Sequence, residues 1–153
     1  MLNWIAEIFS PQTSPAPQST QERIPLATCV VLLEAARADD EFTDEERAHI
    51  LTTMQERFKL SESEAQDLLE QAQVASDQSS DLWHFTHIIN EAFSPEDKIL
   101  ILEEVWRLFY SDGSLDGHED HLAHQLQNLL NLNHKQLIQA KMTVLEEIRG
   151  RKA

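Results

Sequence analysis

The chain has 153 residues, enough for one domain and too few for two independent cores. Lys and Arg number 12 against 27 Asp and Glu, and the formal charge of −15 argues against a nucleic-acid ligand or an anionic lipid surface, both of which recruit clustered cations. Of the 5 prolines, four fall within the first 25 residues, and with only 3 glycines the body has too few chain-breakers for a many-turned β protein, so an all-α domain is expected.

Residues 1–9 carry Leu2, Ile5, Ile8 and Phe9 at helical spacing, a short amphipathic segment that fits either a protein groove or a lipid surface. Glu7 and the acidity of the chain favour docking onto the protein's own body over membrane contact. Residues 10–23 are rich in Pro, Ser and Thr with no apolar period, which reads as an extended tether. A helical domain is expected over 24–149, followed by a basic tail at 150–153. No run approaches the ~20 apolar residues of a membrane span, and the opening segment lacks the basic region of a secretion signal, so a cytoplasmic location is expected. The lone Cys29, inside an apolar run, closes no intrachain disulfide and fits a reducing compartment.

In the body, Leu26, Cys29, Val30, Leu33 and Ala36 mark a first helix with one buried stripe. Five later starts share one device, a capping side chain followed three positions on by an acid or amide: Thr43 with Glu46, Ser61 with Glu64, Ser94 with Asp97, Asp116 with Glu119, and Asn133 with Gln136. Pro95 after Ser94 suits a first helical position. A short helix is expected around Leu82, Phe85, Ile88 and Ile89. The stripes are Ile50, Met54 and Phe58; Ala65, Leu68, Leu69 and Ala72; Leu122, Leu126 and Leu129; and Ile138, Met142, Leu145 and Ile148. Residues 99–110 are apolar nearly all round, as expected of a central helix. The expected total is six or seven helices.

Residues 112–119 align with 39–46, pairing Asp112 with Asp39, Leu115 with Phe42 and Glu119 with Glu46, and Leu132, Asn133 and Gln136 echo Leu60, Ser61 and Glu64. Each half therefore reads as helix, acidic turn, helix, cap, helix: two copies of one helical hairpin. The phrases Ala-Asp-Asp-Glu-Phe-Thr-Asp-Glu-Glu over 38–46 and Ser-Asp-Gly-Ser-Leu-Asp-Gly-His-Glu over 111–119 resemble the TerB-like domains of tellurite resistance protein B and its relatives. In that family Asp-Gly-x-apolar-x-x-x-Glu recurs between helices. The first copy departs from it with Asp40 in place of Gly, a residue less suited to a left-handed turn. The resemblance implies an all-helical bundle of hairpins and a non-enzymatic bacterial protein of stress or envelope-associated complexes. It also implies acidic clusters that hold a divalent metal and, from relatives fused to J-type co-chaperone regions, an interaction role.

Asp112, Ser114, Asp116 and Glu119 offer oxygen ligands suited to Ca2+ or Mg2+, and Asp39 with Glu46 is the counterpart in the first copy. Numbered as an EF-hand, the loop places Ala123 where the bidentate Glu belongs, so it is not one. The same residues also read as a capping box with turn glycines Gly113 and Gly117. His118, His121 and His124 offer nitrogen to Zn2+, but steps of three residues spread them over about 120° of helix surface, which favours a solvated row. His84 and His87 read as a partly buried, hydrogen-bonded pair. Neither a Gly-x-Ser-x-Gly elbow nor a Gly-rich phosphate loop occurs, so no enzyme is expected. Two functions remain: an acidic helical module that binds a divalent cation at its inter-helix turns, and a metal-free adaptor for a protein partner anchored by Trp4 or Trp83.

Overall fold

The structure is a computed structural model and describes residues 20–38, 42–79, 81–112 and 117–152. Among the described residues there are seven α-helices and no strand: α1 (Thr20–Ala36), α2 (Asp44–Phe58), α3 (Glu62–Gln78), α4 (Trp83–Ala92), α5 (Pro95–Phe109), α6 (Gly117–Leu129) and α7 (His134–Lys152), with a 3-10 turn at Tyr110–Asp112. The all-α class and the duplicated hairpins expected from the sequence are both present.

Two inner helices organise the packing. α1 lies against α2, α3, α4 and α5, and α5 lies against α1, α6 and α7. The inner pair thus joins two three-helix units, α1–α2–α3 and α5–α6–α7, and in each unit the first helix packs on both of the others. α4 stands between them in sequence and touches α1 and α6.

The repeat extends to individual hydrogen bonds. α2 and α6 both end on a residue in the left-handed region, Lys59 at φ 55° and Asn131 at φ 57°. The following leucine donates its N–H back to a glutamine carbonyl, Leu60 to Gln55 at 3.1 Å and Leu132 to Gln127 at 2.9 Å, which closes each helix with a Schellman-type bond. The next residue opens the third helix with a reciprocal cap. Ser61 N–H donates to Glu64 Oε1 at 2.9 Å and Glu64 N–H to Ser61 Oγ at 3.1 Å. Asn133 N–H donates to Gln136 Oε1 at 2.8 Å and Gln136 N–H to Asn133 Oδ1 at 2.8 Å. Stop and start signals are therefore shared by both halves. The remaining expected caps at Thr43 and Ser94 also form, with Pro95 in the first turn of α5, while Asp116 lies outside the described residues.

The structure corrects four expectations. The first helix begins at Thr20, inside the stretch read as tether (10–23), and continues through Pro25; a proline this close to the start removes only one backbone bond of the new helix. Nor has α1 a single stripe. Ala27, Val31, Leu32 and Ala35 are buried along with Leu26, Cys29, Val30, Leu33 and Ala36, because α1 is flanked by four helices. It shares the centre with α5. In α7 the buried line is Leu137, Ala140 and Val144, whereas Ile138 and Met142 of the expected stripe are exposed. The helix carries two apolar lines about 100° apart, and periodicity alone does not say which one faces inward. Finally, His84 and His87 are exposed rather than partly buried; His87 Nε2 pairs with Glu91 at 2.9 Å and its ring stacks on Trp83.

Candidate functional site at the acidic elbows

In each unit the chain turns from the first helix into the second, and the third residue of that second helix is a glutamate. Asp44, Glu45 and Glu46 form the acidic first turn of α2, and Glu119 and Asp120 lie in that of α6, where the free N–H groups of a helix start favour negative charge. Glu46 is only 4% exposed and Glu119 only 3%, although glutamates are rarely buried. The two equivalent positions, 73 apart, are thus buried to nearly the same degree. At Glu46, Oε1 accepts the Thr43 backbone N–H at 2.9 Å and lies 3.2 Å from Thr43 Oγ1, while Glu46 N–H returns a bond to Thr43 Oγ1 at 3.1 Å. This satisfies part of the carboxylate's demand after its removal from water.

Glu46 and Glu119 are therefore two of the six residues expected at metal sites, and each stands in its own elbow. Asp112 closes the 3-10 turn after α5. Its side chain, together with Asp39, Ser114 and Asp116, lies outside the described residues. Among the described residues, no three His, Cys, Asp or Glu side chains are arranged to hold a metal ion. The donors in view are carboxylate oxygens, the chemistry of Ca2+ and Mg2+ rather than of thiolate-seeking metals. Of the histidine row, the side chain of His118 lies outside the described residues. His121 and His124 are exposed, His124 Nδ1 lies 2.9 Å from the Asp120 carbonyl, and its ring stacks at 5.8 Å on His134.

A second polar cluster was not anticipated. On α5, Glu104 receives His49 Nε2 at 3.0 Å and an Arg107 nitrogen at 3.2 Å, while Arg107 is bidentate to Glu147 of α7 at 2.9 Å on both nitrogens. Burial alone pushes the Glu104 carboxyl up, but the His49 bond and the charges of Arg107 and His49 outweigh it and hold the group below its ordinary value. Beside this network a cleft of about 460 Å3 is lined by Thr53, Glu56, Arg57, Phe58, Phe93, Asp97 and Glu104. The signal lay in the spacing, since Glu103 and Glu104 stand three or four residues before Arg107 in the otherwise apolar stretch 99–110. Elsewhere, buried Lys98 donates to the Leu130 carbonyl at 2.7 Å and to Asn90 Oδ1 at 3.2 Å, and Asn90 donates to the Leu129 carbonyl at 2.8 Å. These bonds tie the end of α6 to α4 and α5 and have a structural role. Cys29 is wholly buried, which pushes its thiol up to about 12, far from the range of a nucleophile.

Residues 25–142 match the family model for tellurite resistance protein TerB. No curated protein and no solved structure matches the chain. The matched span covers well over half of the sequence and contains both acidic elbows, so the chain belongs to the tellurite resistance protein TerB family.

Proposed function

We propose that the protein is a non-enzymatic helical module whose two acidic elbows bind a divalent cation, Ca2+ or Mg2+ in preference to Zn2+. The observation that carries this reading is the pair Glu46 and Glu119, buried at equivalent positions of two elbows whose sequences add Asp39 in one and Asp112, Ser114 and Asp116 in the other. Carboxylates crowded into one turn repel one another, and a hard cation relieves that repulsion by sharing their oxygens. In this role the bound ion supplies positive charge and fixes the hinge between two helices. The protein's own residues contribute the helix starts that hold Glu46 and Glu119 in place.

The test is thermal unfolding of the full chain after chelator treatment, with Ca2+, Mg2+ or Zn2+ added back. A cation at 100 times its dissociation constant stabilises the folded state by about 2.7 kcal/mol, and Asp112→Ala with Glu119→Gln should reduce that gain. Superimposable curves with and without each cation would overturn the reading. They would leave a metal-free adaptor, favoured by Trp83, which is 57% exposed and presents an aromatic face stacked on His87 at 4.7 Å. A cytoplasmic setting, expected from the sequence, and a part in a bacterial stress response, implied by the family likeness, belong to the same proposal.

A further inference from the structure

The duplication provides an internal control for the surface of α7. With residue 137 laid on 65, the buried positions coincide: Leu137, Ala140 and Val144 fall on Ala65, Leu68 and Ala72, all buried. The outward positions do not agree in character. Where α3 has Gln66, Glu70 and Gln73, α7 has Ile138, Met142 and Leu145. Ile138 is 37% and Met142 40% exposed, and Leu145 is partly so. These three share one line of the helix at i, i+4 and i+7. The first unit shows that the fold needs no apolar side chain there, so the α7 line is an addition to the scaffold rather than a requirement of it. Lys135, Lys141 and Arg149 neighbour the line, against one acid, Glu146, in a chain of net charge −15.

We propose that this line is the docking surface for residues 1–9 of the same chain. That segment carries Leu2, Ile5, Ile8 and Phe9 at helical spacing, together with Trp4, and its one acid, Glu7, meets the basic side chains beside the stripe. Ten residues, 10–19, separate it from the start of α1. Extended, they span about 35 Å, comparable with the width of a folded body of this size. Tethering raises the segment's effective concentration to about the millimolar range, which makes a small apolar contact sufficient. The contact is independent of any cation at the elbows.

The experiment places a nitroxide at residue 3 of the full chain through Asn3→Cys. Cys29 is fully buried and stays unmodified. Amide signals of 15N-labelled protein should lose intensity along one stretch centred on 138–145, unchanged on dilution. The loss should vanish when Ile138→Gln, Met142→Glu and Leu145→Gln copy the residues of the first unit into the second, with the unfolding transition retained. No intensity loss in α7, or loss centred on another helix, would overturn the proposal. So would loss in 15N-labelled, nitroxide-free protein mixed with unlabelled nitroxide-bearing chains, since the occupant would then be a second copy.

Discussion

Lys59 and Asn131 occupy the same left-handed position in the two units, at φ 55° and 57°, yet they differ in how well they tolerate it. A Cβ-bearing residue in this region is strained by roughly 1–2 kcal/mol, whereas Asn is relieved by local hydrogen bonding of its short polar side chain. Lys59 is exposed, so Lys59→Gly loses little packing. Against the relief stands the extra freedom that glycine gives the unfolded chain, worth about 0.4–1 kcal/mol. The difference predicts a net stabilisation of about 0.7 kcal/mol for Lys59→Gly and close to none for Asn131→Gly. In urea unfolding with a slope of about 2 kcal/mol/M, the first variant should raise the midpoint by about 0.3 M with the slope unchanged. A neutral or destabilised Lys59→Gly, or a larger gain at Asn131, would refute the view that both helices stop by the same strained device.

Arg107→Met removes the cation shared by Glu103, Glu104 and Glu147, two of which are only 14% exposed, and should cost about 2 kcal/mol in chemical unfolding, since partly buried carboxylates lose the donor that compensates them. Acid titration of stability should separate the two neighbouring glutamates. Glu104, held low in the fold, contributes stability above its ordinary value near 4.3 that is lost as pH falls through the folded value, so Glu104→Gln should flatten the acid limb. Burial holds Glu103 high, so its contribution is present below the ordinary value and lost as pH rises through the folded one; Glu103→Gln should shift the profile in the opposite sense. Cys29 should resist a thiol reagent at pH 8 in the native protein and react at a rate set by unfolding.

Much of this architecture was legible because it is written in local chemistry. Caps at Thr43, Ser61, Ser94 and Asn133 depend on residues three apart, and the repeat is visible where the same short phrase returns after 73 positions. What sequence did not reveal depends on neighbours distant along the chain. Whether Leu137 or Ile138 of α7 faces the core is decided by how α7 seats on α5 and α6, and both lines satisfy a helical period. The full burial of α1 likewise follows from four partners meeting it, not from its own pattern. The Glu104 cluster joins His49 directly and Glu147 through Arg107, and the 55 and 40 residues that separate its cross-helix pairs hid it from a local reading. At the elbows, the family phrase marked Glu46 and Glu119 as counterparts; their nearly equal burial is a property of the packed helices.

The central claim, two equivalent elbows that each hold a hard divalent cation, is tested most directly by Mn2+ as a paramagnetic stand-in for Mg2+. Titrated into 15N-labelled full chain, it should erase amide signals in two separate foci, around residues 43–47 and 117–121, and excess Mg2+ should restore them. Broadening spread over the acidic surface, or confined to residues outside both elbows, would contradict the account.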